Sequence, residues 1–307
     1  MGPVSILMTN SIPSTDIRCL ATTSDLCGEG CVWHPQQNAI FWTDINRGLL
    51  HRLGIESGAV ETWKFDQPVT AIALTSQAEL LVLVLGGRIV LWDTRTHQET
   101  DILFRLPEWP AVRCNDARVD PAGVLWFGTM QNNVRSDGTT MDITGWMGAL
   151  YSLTASGEVK RWHSGFGISN TFAWSPDSET MYFADTLANT IYRGRFDPRQ
   201  SSLAGSEVFF RDFKRGLPDG STMDAEGYLW NCRYGGSCIV RIAPNGSIAA
   251  IIETPVTNPT TCTFIADDKG TLVFTSAGNA APHGGPAESL FAFESGVQGL
   301  PITPFCL

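Results

Sequence analysis

The sequence predicts an all-β fold, a six-bladed β-propeller around a central channel. Three observations carry this: a two-strand pattern that recurs six times, a spacing between copies that suits a four-stranded blade, and the lack of any helical period. The clearest copies run Ala117-Arg118-Val119-Asp120-Pro121-Ala122-Gly123-Val124-Leu125-Trp126 and Thr222-Met223-Asp224-Ala225-Glu226-Gly227-Tyr228-Leu229-Trp230. In each, a polar residue opens a short strand, a turn rich in Pro, Asp or Gly follows, and a second strand carries a bulky centre. Other copies lead from Val32-Trp33-His34-Pro35 into Phe41-Trp42, from Ala173-Trp174-Ser175-Pro176-Asp177 into Tyr182-Phe183, and from Phe264 through Asp267-Asp268-Lys269-Gly270 into Val273-Phe274. The weakest runs from Ala71 through Ser76-Gln77 into the apolar run Leu80 to Leu85.

With Trp42, Leu83, Trp126, Phe183, Trp230 and Phe274 as second-strand anchors, successive spacings are 41, 43, 57, 47 and 44 residues. A four-stranded propeller blade takes roughly 40–50 residues. The long step contains an Asn-, Asp-, Gly- and Thr-rich insertion at 131–146. Further strand-like segments follow each anchor, such as Ala149 to Leu153 and Ile239 to Ile242, with turns like Pro244-Asn245-Gly246 between them. No apolar run keeps a 3.6-residue period, and Gly and Pro interrupt too often for helices. A β-sandwich also has many short strands, but a repeat of this length does not suit it. The chain therefore reads as one domain over 1–307, with blades near 27–66, 67–106, 113–165, 168–213, 216–255 and 257–299. Residues 14–22 are expected to add a strand to the last blade and close the ring, removing an open sheet edge.

An apolar fraction of 43% supports a packed core, and 17% charged residues is too few for a disordered chain. A net charge of −10 argues against nucleic acid or an anionic membrane surface as partner. No stretch is long and apolar enough for a transmembrane helix, and 1–13 lacks the pattern of a secretory signal. The expected location is the cytoplasm, where the eight scattered cysteines read as buried thiols, not a disulfide framework. Oligomeric state is not legible.

In a propeller the first strand of every blade begins beside the central axis, so residues at one phase of the repeat converge. Glu29 and Asn170 each lie 13 residues before an anchor, and Asn115 and Asp219 each lie 11 before one. Thr260, Thr261 and Cys262 occupy the same region of the last blade. Two carboxylates with carboxamide oxygens make a hard, oxygen-only donor set. It suits Ca²⁺, Mg²⁺ or Mn²⁺ and tolerates Zn²⁺ or Fe²⁺. A bound divalent ion could polarise an ester carbonyl or acidify a water. Taken singly, each residue has a plainer reading: Asp219-Gly220 is a common turn pair, Glu29 lies between glycines, and Asn170 could satisfy backbone at a strand end. The shared phase is what favours the metal. Arg113, two residues before Asn115, shares its face and could hold a substrate oxygen; pairing with a neighbouring carboxylate is the alternative.

The chain resembles the senescence marker protein-30/gluconolactonase family, also called regucalcin-like. The matching pieces, in the family's order, are Gly28-Glu29-Gly30-Cys31-Val32-Trp33, Phe41-Trp42-Thr43-Asp44-Ile45, Arg113-Cys114-Asn115-Asp116, Asp120-Pro121-Ala122-Gly123 with Gly128-Thr129-Met130, Ile168-Ser169-Asn170 with Trp174-Ser175-Pro176-Asp177, and Pro218-Asp219-Gly220 continuing to Trp230. They span most of the chain. The resemblance implies one divalent metal held by Glu29, Asn170 and Asp219. It also implies a small-molecule sugar lactone opened to its acid, with Asp219 as general base. Arg113 and Asn115 fall on substrate-binding positions. Some members carry a substrate-binding glutamate shortly after Gly-Thr-Met; here Gln131-Asn132-Asn133 follow, which leaves Asn133 as the substrate-binding candidate and substrate choice open. A second departure is Thr171-Phe172-Ala173 after Asn170, where Gly-Leu or Gly-Ile is usual.

Other hydrolytic machinery is missing. Gly235-Gly236-Ser237-Cys238-Ile239 lacks the closing glycine of a serine-hydrolase elbow, and the histidines at 34, 51, 97, 163 and 283 form no ligand pattern. Two readings compete with the lactonase: a non-catalytic metal-binding propeller scaffold, and a metal-dependent esterase or organophosphatase of related fold. A polar channel rim would favour sugars and an aromatic rim the second rival; Trp109, Trp146 and Phe172 could line it or pack away.

Overall fold

The computed structural model describes residues 10–12, 16–278 and 289–307. Residues 14, 15 and His283 lie outside them. The described residues form six sheets, antiparallel but for one added outer strand, and no helix, the arrangement of a six-bladed β-propeller. The inner strands are Gly28–His34, Val69–Leu74, Val112–Val119, Ser169–Trp174, Leu217–Met223 and Pro259–Phe264. Each pairs with a second strand: Ala39–Asp44, Leu80–Leu85, Leu125–Gln131, Thr180–Asp185, Leu229–Tyr234 and Thr271–Ser276. These second strands hold the six predicted anchors, all between 0% and 3% exposed. In the sixth sheet, Arg18–Ala21 pairs with Leu290–Glu294 as the outermost strand, so the end of the chain is bound to its beginning. Asn10–Ile12 adds in parallel to the outer strand Ile248–Glu253 of the fifth sheet, a pairing that the sequence pattern did not suggest.

The core is divided as a ring requires. Each of six apolar clusters joins two neighbouring sheets, for example Phe41 and Leu50 with Leu83 and Trp92, or Cys31 and Trp42 with Val273 and Leu290. A sheet that is apolar on both faces can be buried only between two others, which explains why the second strands read as continuous apolar runs.

The Asp-to-Trp spacing of the two clearest copies has a direct cause. Asp120 is fully buried; its Oδ1 accepts the backbone N–H groups of Ala122 (2.8 Å) and Val124 (3.0 Å), and its Oδ2 accepts Trp126 Nε1–H (2.9 Å). Asp224 repeats this with Glu226, Tyr228 and Trp230. In the first sheet Asp25 supplies the acceptor for Trp42 Nε1–H (2.9 Å). One carboxylate thus closes the turn and fixes the anchor. Asp120→Ala leaves the buried Trp126 indole and two part-buried backbone donors without their acceptor and is expected to cost about 3 kcal/mol, read as a lower urea midpoint with an unchanged slope.

The two faces of the ring differ. At the end where inner strands finish, the C-terminal segment runs across from the fifth sheet to the second and third. Leu300 N–H bonds Met223 O (3.1 Å), Phe305 N–H bonds Leu74 O (2.8 Å), and Cys306 N–H bonds Gly123 O (3.1 Å). On the other face, the insertion at 131–146 reaches from the third sheet back to the first, where Asn46 Nδ2 donates to Gly138 O (2.9 Å) and Thr140 Oγ1 (3.1 Å). The second sheet leaves room for it, because its hairpin there is only Gly86-Gly87. Trp109 covers both glycines so closely that an added Cβ would lie 2.5 and 2.4 Å from its ring.

None of the eight cysteines forms a disulfide, and five are buried; Cys19 and Cys27 are half-buried and Cys306 is exposed, so the expectation of buried thiols fails at these three. Cys19 and Cys306 lie near the chain ends, on an edge strand and the terminal segment. No helix among the described residues is long and apolar enough to cross a membrane.

Candidate active site

Glu29, Arg113, Asn115, Asn170 and Asp219 sit in the opening halves of four inner strands and face the same end of the channel. Regular pairing would not aim them all at the axis. Each of the six inner strands breaks register with its neighbour at this level, between Glu29 and Val32, Val69 and Ala71, Cys114 and Ala117, Asn170 and Ala173, Pro218 and Ser221, and Pro259 and Cys262. A bulge gives up ladder bonds to re-aim side chains, so the ring of bulges builds the site. Two bulged positions take left-handed backbone, Gly30 at φ +58° and Thr171 at φ +56°. Glycine adopts this freely. A β-branched residue there is strained, and Thr171 is held by its own bonds: Oγ1–H to Asp219 O (2.5 Å), contact with Ser221 Oγ (3.0 Å), and N–H to Asn170 Oδ1 (3.2 Å).

The structure brings Asn170 and Asp219 into direct contact, Nδ2–H to Oδ1 at 2.5 Å, and both are buried. Glu29, also buried, hydrogen-bonds the Asp219 carboxyl and accepts Gly30 N–H at 2.9 Å. Burial first, then the Asp219 charge, pushes the Glu29 carboxyl well above its ordinary range. Burial likewise pushes Asp219 up to about 7, opposed by the Asn170 bond. Behind Asp219 stands fully buried Asn231, whose Nδ2 donates to Asp219 O (3.0 Å) and Ser221 Oγ (2.9 Å).

Arg113 is 5% exposed. Its Nη1 donates to Asn115 Oδ1 (2.7 Å) and Cys114 O (2.9 Å), and its Nε and Nη2 both donate to Asn133 Oδ1, at 3.2 and 3.0 Å. Asn115 Nδ2 in turn donates to Ser169 O (3.1 Å). Asn133 therefore clamps Arg113. Burial lowers Arg113 to about 10, so it stays charged at neutral pH. Cys27, beside the cluster, is raised well above its ordinary value by burial and then by Glu29, which keeps it a thiol and not a nucleophile.

Sequence reasoning missed Asp116, Asn231 and Arg233. Asp116 was visible only inside the Arg113-to-Asp116 motif; burial raises it to about 6, and its charge is felt by both Glu29 and Asp219. It also lines a cavity of about 300 Å³ in the lower channel, with Arg118, Thr222 and Thr261 and with Leu300 to Thr303 along its floor. Arg233 is 1% exposed, yet its acceptors are all neutral: Arg215 O, Gly216 O, Asn231 Oδ1 and Asn189 Oδ1.

The donors fit a divalent cation. Two buried carboxylates and a carboxamide converge, and burial, which raises both carboxyl groups, is the cost that a bound cation would offset. Oxygen donors of this kind are those of hard ions. The rim is mixed. Trp146 (56% exposed), Met147, Leu187 and Tyr234 are exposed on the loops of this face, whereas Phe172 packs into the core and Trp109 lies against Gly86-Gly87.

Fold and site together define a propeller hydrolase-type centre, with acid, amide and guanidinium groups gathered at one channel mouth. The chain belongs to the SMP-30/gluconolactonase/LRE-like family, whose model matches residues 27–278. It is 30% identical to pentonolactonase XacC of Haloferax volcanii over 83% of both chains. It is also 30% identical to 6-deoxy-6-sulfogluconolactonase of Pseudomonas putida, over 85% of this chain and 87% of the other. Among solved structures, a calcium-binding protein, regucalcin, of Agrobacterium tumefaciens superposes with a TM-score of 0.88 at 29% identity, covering 98% of this chain and 100% of that one.

Proposed function

We propose that the protein is a metal-dependent hydrolase that opens an aldonolactone to its sugar acid. Its lactonase class follows from the family and from relatives named as pentono-, arabino- and sulfogluconolactonases. The observation that carries the finer reading is the contact of Asn170, Asp219 and Glu29 beside a fixed Arg113–Asn115 pair. Glu29, Asn170 and Asp219 would hold one divalent ion, Ca²⁺, Zn²⁺, Mn²⁺, Mg²⁺ or Fe²⁺. When bound, that ion supplies Lewis acidity at the lactone carbonyl.

Asp219 acts as general base. Its carboxylate is fixed by Asn170 and its backbone by Thr171 and Asn231, and a bound cation would keep it ionised and able to take a proton from water. Water oxygen bonds to the carbonyl carbon as Asp219 takes its proton; the ring C–O bond then breaks and the proton passes to the departing oxygen. Arg113 and Asn115 orient the sugar hydroxyls, and burial keeps bulk water from screening them.

A second reading, hydrolysis of an aromatic lactone or an organophosphate, draws on the exposed Trp146 and Tyr234 at the same mouth. Metal-stripped protein, with each cation restored in turn, decides between them on a panel of aldonolactones, an aryl lactone and an organophosphate, read by a pH indicator. Metal-dependent acid release from aldonolactones above the spontaneous rate is expected. Metal binding with no hydrolysis of any of them would leave a scaffold.

A further inference from the structure

Arg113 lies at the channel mouth with no carboxylate among its hydrogen-bond acceptors. The acceptor that meets both Nε and Nη2 is Asn133 Oδ1, in the two-pronged position where a carboxylate would neutralise a guanidinium. Its remaining acceptors, Asn115 Oδ1 and Cys114 O, are also neutral, and one Nη2 N–H remains beyond these four bonds. Arg233, on the far side of Asp219, is the second buried guanidinium held only by neutral acceptors. Burying a charge without an opposite partner is costly, so such a pair needs a compensating charge from elsewhere. The carboxylates nearest to this pair are Glu29, Asp219 and Asp116. Once a divalent ion joins the two guanidinium groups, positive charge exceeds that of the three carboxylates.

We propose that the site selects lactones that carry a second, anionic group, a phosphate, sulfonate or carboxylate on the sugar, and that Asn133 sets this preference by leaving the Arg113 charge free. The inference rests on the lactonase reading and names its substrate class. The overall charge of −10 works against anions at long range, but salt screens that field within about 10 Å, and the preference arises inside the mouth.

The test uses the metal-loaded enzyme and two lactones that differ at one carbon, D-glucono-1,5-lactone and its 6-phosphate. The phosphorylated lactone is expected to show a kcat/KM at least about tenfold higher, mostly through KM, with the advantage shrinking as salt is raised. Asn133→Asp changes almost nothing but charge, and should lower kcat/KM for the phosphorylated lactone by about tenfold more than for the neutral one. Equal kcat/KM for both lactones in the unaltered enzyme overturns the inference, as does an Asn133→Asp effect that is the same on both. Hydrolysis of neither lactone, despite bound metal, overturns the lactonase reading itself and the inference with it.

Discussion

Asp219→Asn is expected to reduce kcat for lactone hydrolysis by at least about a thousandfold, because the proposed function gives this one residue the roles of both ligand and base. The change is nearly isosteric, and the surroundings hold the position without the charge. Thr171 Oγ1–H and Asn231 Nδ2–H both bond to the backbone carbonyl of residue 219, not to its side chain. The Asn170 amide keeps an oxygen acceptor at 219. The lost anion was buried, and burial is the first cause of its raised value, so the metal-free variant should unfold no earlier than the unaltered protein. Calorimetric titration should show at least about tenfold weaker metal binding, since a ligand charge is gone. Activity within tenfold of the unaltered enzyme, with metal affinity intact, would remove Asp219 from both roles.

How far such residues can be found without coordinates depends on which regularity they obey. The six anchors were legible because each fills the same gap between two sheets, so side-chain size repeats with the blade. Asp120 and Asp224 were legible as turn residues, though only the structure shows each capping a turn and a Trp at once. Glu29, Asn115, Asn170 and Asp219 were found by phase and Arg113 by its place two residues before Asn115, and the structure does gather them at one end. Alternation along a strand, however, assigns Asp116 to the face opposite Asn115. The bulge between Cys114 and Ala117 undoes that alternation, and no residue type in the stretch announces it. Thr171 hides the same device, since a β-branched residue is the poorest marker of a left-handed turn. Asn231 and Arg233 escaped for a different reason. They belong to a second strand: Asn231 bonds Asp219 O and Arg233 pairs opposite Pro218 across the sheet, a relation that the phase of inner strands does not describe.

The buried carboxylates also make a prediction about stability. Glu29, Asp219 and Asp116 all have native values above the roughly 4 of an unfolded carboxyl group, with burial the first cause for each. Between about pH 4 and pH 7 the native state therefore binds more protons than the unfolded state, and stability falls as pH rises. Below this window both states are protonated and the groups contribute no slope; through it the cost of the Asp116 and Asp219 anions comes in, and Glu29, raised well above its ordinary value, extends the decline upward. A divalent cation replaces the protons as the neutralising charge. Thermal unfolding in chelator should thus give a Tm that declines from pH 5 to about pH 8, and restored metal should raise Tm more at the upper end of that range. General repulsion in a chain of charge −10 also lowers stability as carboxylates ionise, so the decline alone does not assign its source. Glu29→Gln separates the two. It removes one buried titration while changing the net charge little, and should flatten the metal-free pH dependence and shrink the gain from metal. An unaltered slope in that variant would attribute the decline to surface repulsion and leave the channel carboxylates without a titration in this window.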